Sequence, residues 1–94
     1  MRFQWDETKH AANVAKHAVG FETAARIFEG PVLEQVDSRR NYGEERIAAV
    51  GIVEGIELFV AYTWRGNVRR IISARRANKY EREAYWRAFT PPQK

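Results

Sequence analysis

"RIAAVGIVEGIELFVAYTWRGNVRRIISARR", residues 46–76, decides the fold. Three runs rich in β-branched, apolar and aromatic residues are separated by two dipeptides, Glu54-Gly55 and Gly66-Asn67. Such runs joined by two-residue turn signals predict strands linked by tight hairpins. The strands are expected over 46–53, 56–64 and 68–76. Consecutive short hairpins favour an antiparallel meander.

Working outward, "VLEQV" at 32–36 is a further strand, joined to the meander through the polar loop "SRRNYGEE". Near the start, "RFQW" is short and alternating and reads as a first, edge strand. Asp6 reads as an N-cap with Glu7 in the first turn. The helix it opens should run to about His17, with His10, Asn13, Val14 and His17 on one face. A second helix is expected over roughly 21–29, with Phe21, Ala24, Ala25 and Phe28 inward and Gly30 and Pro31 as the stop. Past the last strand, Asn78 and Glu81 have capping-box spacing and open a helix through about Phe89. The fold class is therefore α+β: an antiparallel sheet of about four strands, with two N-terminal helices and one C-terminal helix packed on it. Residues 1–89 should form one domain, and 90–94 a disordered tail.

The last hairpin admits two registers. With Gly66-Asn67 as the turn, Trp64 faces Arg69, Val60 faces Ser73 and Glu57 faces Arg76. With a three-residue loop the pairing slips by one and Glu57 faces Arg75. A slip exchanges which arginines share a face with Trp64, Tyr62 and Val60. In both registers Glu57 has an arginine opposite it.

Ninety-four residues, 45% of them hydrophobic, suit a folded domain with one modest core. The absence of Cys excludes a disulfide framework and a thiolate metal site. His10 and His17 stand two turns apart with no third ligand, so no metal and no cofactor is expected. No apolar run is long enough for a signal or spanning segment, which makes the cytoplasm the default compartment. Charge is uneven. Residues 65–82 hold seven basic side chains (Arg65, Arg69, Arg70, Arg75, Arg76, Lys79, Arg82) against one acid, Glu81. The whole chain carries only +4, so the remainder is net negative. Concentrated positive charge points to an anionic partner.

Four motifs stand in order along the chain: W-D-x-x-K from Trp5, N-x-x-K-H from Asn13, F-x-x-A-x-x-I-F from Phe21, and R-I-I-S-A-R-x-A from Arg70, followed by Glu81-Arg82. With them the chain resembles, over about residues 3–85, the BrnT-type ribonuclease toxins of bacterial type II toxin–antitoxin systems. The resemblance implies a RelE-like fold, endoribonuclease activity and a ribbon-helix-helix antitoxin as partner. It also implies a heterotetramer with an antitoxin dimer, and operator DNA bound through the antitoxin. Two positions depart from the family pattern: Asn78 replaces the usual Thr and keeps the capping role, and Ala18 replaces the usual Gly.

Metal-free RNA cleavage uses the substrate's own 2′-OH. A group must take its proton, another must protonate the leaving 5′ oxygen, and cations must meet the charge growing on phosphorus. Arginine suits the last task because its planar fork binds phosphate through two N–H groups. The catalytic candidates are Arg70, Ser73, Arg75, Arg76 and Glu81. Those for holding RNA are Lys16, His17, Arg65, Arg69, Lys79, Tyr80 and Arg82. The arginines are expected to form one groove, with Ser73 and Arg75 as its compact centre and Arg69 extending it.

Each candidate has a structural alternative. Arg70 can stack beside Trp64 or Tyr62, and Arg75 or Arg76 can pair with Glu57. Glu81 can serve as a cap, His17 as a buried hydrogen-bonded histidine, and Lys16 as a solvated helix lysine. Tyr80 and Tyr85 can stack a base or fill the core. Two other functions compete with the nuclease: a non-catalytic basic module that binds nucleic acid or a protein target, as gyrase-directed toxins do, and an inactive partner of the antitoxin.

Overall fold

The computed structural model describes residues 2–38 and 41–90. Part of the polar loop (Arg39 and Arg40) and the expected tail past Thr90 lie outside the described residues. Strand β1 (Phe3–Gln4) leads into helices α1 (Glu7–His17) and α2 (Phe21–Ala25), then a 3₁₀ turn (Arg26–Glu29). Strands β2 (Leu33–Asp37), β3 (Arg46–Val53), β4 (Ile56–Arg65) and β5 (Val68–Arg76) follow, and helix α3 (Lys79–Phe89) closes the fold.

The sheet has five strands in the order β1-β5-β4-β3-β2. The four-strand antiparallel expectation holds for β2 to β5. The sheet is nevertheless mixed, because β1 joins the far side of β5 in parallel, pairing Phe3 with Arg69 and Gln4 with Arg70. Two residues carry too short a pattern to announce a direction. β1 is held by its neighbours, with Arg69 N–H donating to Arg2 O and the Phe3 ring against Phe28.

The hairpins form where the dipeptides stand. Glu54 and Gly55 both have positive φ, 51° and 80°. That is the twist-matched two-residue turn, with Gly at its second position. Gly66 takes φ 61° in the second turn, and Arg65 pairs with Val68 as the two-residue register requires.

The helices follow their caps. Asp6 Oδ1 accepts Lys9 N–H at 3.0 Å, and Ala18 ends α1 in the left-handed region with its N–H on Val14 O. Asn13 is buried, whereas Val14 is 42% exposed, at the margin of the stripe rather than inside it. The second helix tightens after Ala25 into the 3₁₀ turn, which brings Ile27 as well as Phe28 into the core. Asn78 and Glu81 form both bonds of the capping box.

The two faces of the sheet are unequally covered. On one, α1, α2 and the 3₁₀ turn bury Phe21, Ala24, Ile27, Ala49, Val60, Tyr62, Ile71 and Ala74. On the other, α3 covers one end, where Val50, Ala77 and Tyr85 pack with Leu33, Ile52 and Phe59. Among the described residues, the rest of that second face forms a groove.

A bulge decides what reaches it. β5 runs in the predicted register from Val68 to Ile71, opposite Tyr62; the next pair is Ser73 with Ala61, so Ile72 is extra. An extra residue reverses the parity of all that follow. Arg69, Ile71, Ala74 and Arg76 therefore face α1 and α2, while Arg70, Ser73 and Arg75 face the α3 side. Neither predicted register survives past the bulge. Val60 faces Ala74, and Arg76 faces Leu58. The residue beside Glu57 is Ala77, whose N–H donates to Glu57 O at 3.0 Å. The expected Glu57–arginine pair is thus not formed across the hairpin. The Glu57 carboxylate accepts the Trp86 indole N–H at 2.9 Å instead. That bond is the main reason its pKa lies below the usual glutamate range.

Candidate functional site

Three of the catalytic candidates meet in the groove. Ser73, Arg75 and Glu81 line a cavity of about 500 Å³, with Phe59 and Ala48 on its floor and Gln35 and Asp37 on the β2 side. Arg75 is held from three directions. Its Nη1 and Nη2 donate to the two Glu81 carboxylate oxygens, both at 2.8 Å. Nη1 also donates to Arg76 O at 3.2 Å. Its guanidinium carbon sits 4.1 Å from the centre of the Phe59 ring. Glu81 is fixed in turn by the capping box, where its Oε1 accepts Asn78 N–H at 2.8 Å. The first turn of α3 thereby sets the angle of an arginine on β5.

A guanidinium has five N–H groups. Arg75 spends three within the protein, leaving one on Nη2 and the one on Nε for an anion. An arginine immobilised by a bidentate carboxylate and an aromatic face keeps its charge and loses little freedom on binding phosphate.

None of the candidates Arg70, Arg65, Arg82, Lys79 and Tyr80 is among the described residues that line this cavity. Arg70 lies on the same face beside β1, where its Nη1 donates to Gln4 Oε1 at 2.6 Å. Arg65, at the hairpin end, pairs with Glu44 at 3.2 Å. Arg82 folds back on the loop before α3 and donates to Ala77 O at 2.9 Å. Lys79 and Tyr80 open α3 and are exposed, Tyr80 at 79%. Tyr85 is core and donates to Pro31 O at 3.0 Å.

Four candidates lie on the opposite face, which corrects the expectation of one arginine groove. Arg69, rather than Arg70, makes the aromatic stack: its guanidinium lies over Phe28, Tyr62 and Trp64 at 4.1, 5.3 and 4.5 Å. Beside it the Tyr62 hydroxyl donates to Glu34, and burial, then that bond, raise the Tyr62 pKa. Arg76 and His17 share a separate, mostly apolar pocket of about 350 Å³ with Val53 and Leu58. His17 is half-buried on its wall rather than enclosed, and Lys16 is exposed at the end of α1.

Phe59 is a cavity residue that the sequence alone did not single out. It faces Arg75 only when the Ile72 bulge is counted, so neither simple register signals it.

No curated protein matches this chain. Residues 5–81 match the family described as "Ribonuclease toxin, BrnT, of type II toxin-antitoxin system". That match spans the two N-terminal helices, the meander and the capping box with Glu81. This chain belongs to the BrnT family of type II toxin–antitoxin ribonuclease toxins.

Proposed function

We propose that this chain is a metal-independent endoribonuclease that inhibits translation in the cytoplasm and is neutralised by a ribbon-helix-helix antitoxin. The observation that carries the reading is Arg75, clamped by Glu81 and Phe59 beside Ser73 in an open groove. In the reaction the 2′-OH of one nucleotide attacks the adjacent phosphorus and the bond from phosphorus to the 5′ oxygen breaks. The products are a 2′,3′-cyclic phosphate and a free 5′-OH; the proton lost by the 2′-OH is balanced by the one gained at the 5′ oxygen. The Arg75 Nε–H and free Nη2–H meet the non-bridging oxygens as their charge grows. Glu81 acts through Arg75 by holding its fork. Ser73 contributes a hydroxyl to the same wall, and Arg70 takes a separate phosphate. Tyr80, exposed in the first turn of α3, stacks a base. On the partner side, an acidic antitoxin segment fills the groove and excludes RNA, within a heterotetramer built on an antitoxin dimer. Operator DNA is bound by the antitoxin's part of that complex.

The test is cleavage of a labelled RNA in EDTA by protein freed of antitoxin, beside folded Arg75→Ala. Cyclic-phosphate ends made by the parent and lost in the variant support the proposal. Intact RNA directs the assay to translating ribosomes. RNA left uncut there as well overturns the nuclease reading in favour of a non-catalytic binding module.

A further inference from the structure

One buried polar residue meets β5 beside the bulge. Asn13 of α1 is 8% exposed. Its Nδ2 donates to Ala74 O at 2.8 Å and to Val19 O at 3.0 Å, and its Oδ1 accepts Ala74 N–H at 3.1 Å. β1 pairs with β5 only at Arg69 and Arg70. Past them the outer edge of β5 has no strand neighbour among the described residues. There the Asn13 amide meets both main-chain groups of Ala74, much as a strand neighbour would.

Ala74 stands between Ser73 and Arg75, and its methyl group is fully buried against the helical side. Fixing its N–H, its C=O and its side-chain direction fixes the parity of both neighbours. In an unbulged ladder that parity would reverse, turning Ser73 and Arg75 toward α1 and α2 and placing Ala74 in the groove. The geometry points to Asn13 as a positioning residue for RNA cleavage: it locks the Ile72 bulge and so aims Ser73 and Arg75 at the scissile phosphate. The inference rests on the nuclease reading of the groove.

The test compares the full chain with Asn13→Asp and Ile27→Val. Asn13→Asp keeps the shape but puts an acceptor against Ala74 O and Val19 O. Ile27→Val loosens the same core away from the bulge. Asn13→Asp, folded and melting cooperatively, should lose about ten- to a hundredfold in kcat, the scale of a misplaced catalytic group. Its RNA affinity should change by no more than about twofold, separating aim from binding. The Arg75 Nε–H resonance should shift as its clamp loosens. Ile27→Val should keep the parent's kcat and Arg75 resonance. A folded Asn13→Asp with the parent's kcat and resonance overturns the inference. If Asn13→Asp does not fold, hydrogen exchange in the parent decides: an Ala74 amide as slow as the β4 core supports the lock, and one as fast as an open strand edge refutes it. If the parent leaves RNA intact both free and on translating ribosomes, the nuclease reading fails, while Ala74 exchange and the Arg75 resonance still show whether Asn13 holds the bulge.

Discussion

Glu81→Gln separates the two tasks of the residue that organises the groove. The oxygen of the substituted amide can still accept Asn78 N–H, so the capping box is kept. The amide nitrogen meets a guanidinium N–H of Arg75, donor against donor, so one of the two 2.8 Å bonds is lost and the other loses its anionic acceptor. A hydrogen bond to a charged group contributes about 1.5–3 kcal/mol when withdrawn from water, and an exposed ion pair about 0–1 kcal/mol. The two side chains are 34% and 21% exposed, which puts this pair between those limits. The expected loss is about 1–2 kcal/mol; at ~4–8 °C per kcal/mol for a domain this small, the melting point falls by roughly 5–15 °C. In cleavage, removing a donor to a developing oxyanion outright costs about 10²–10³. An arginine that stays but is badly aimed should cost about ten- to a hundredfold. The assay is a double-mutant cycle with Arg75→Ala, read by urea unfolding and by single-turnover cleavage. The two substitutions should be non-additive, with the double variant cutting no more slowly than Arg75→Ala alone. Stability effects additive to within ~0.5 kcal/mol, or a double variant slower than Arg75→Ala, would refute the idea that Glu81 works through Arg75.

Gly51→Ala should destabilise by about 1–3 kcal/mol in urea unfolding, because the new Cβ would meet Ile27 Cβ at 2.7 Å and Val32 Cγ1 at 3.1 Å. Ala18→Gly should instead raise stability by up to about 1 kcal/mol in thermal melts, since Ala18 ends α1 at φ 58°, where a Cβ is strained. Glu57 has a lowered folded-state pKa, so its stabilising contribution is present above the ordinary glutamate range and is lost as pH falls through its folded value. Trp86→Phe should shrink that acid-side loss, measured as the difference in urea midpoint between neutral and acidic buffer. If the groove binds single-stranded RNA, Arg70→Gln should reduce the slope of log affinity against log salt by about 0.7. Arg69→Gln and Arg76→Gln, on the opposite face, should leave that slope unchanged; filter binding across a salt series checks all three.

Much of the fold was legible because local signals agreed. Glu54-Gly55 and Gly66-Asn67 could only be hairpin turns between such runs, and Asp6 and the Asn78–Glu81 pair announced both long helices. Two features were not legible. β1 joins in parallel, and a two-residue strand has no periodicity from which to read direction. The Ile72 bulge is invisible because Ile71 and Ile72 are alike, so the sequence carries no mark of which one is extra. That one residue decided most of the site. Ser73 with Arg75 survived as neighbours because both lie past the bulge. The Glu57 partner failed because it assumed an unbroken register, and the grouping of Arg69 with Ser73 and Arg75 failed because it assumed unbroken alternation.

The bulge also changes what the basic stretch means. In an unbroken strand Arg70 and Arg76 would share the groove side, separated by roughly 20 Å. Arg69 and Arg75 would both press against the helices. With the extra residue, Arg70 and Arg75 come to one side with Ser73 between them, about 15 Å apart along the strand. That span suits two separate phosphates of one RNA strand better than a single phosphate held by both. The other two arginines are occupied elsewhere. Arg69 fills the space among three aromatic rings, a contact of about 0.5–2 kcal/mol as its desolvation increases. Arg76 borders the His17 pocket. The cationic excess of residues 65–82 therefore overstates the charge on the groove side, because Arg69 and Arg76 lie on the face that α1 and α2 cover. Which arginines face the groove follows from the parity of β5, and parity is set by one inserted isoleucine next to an alanine that Asn13 holds in place.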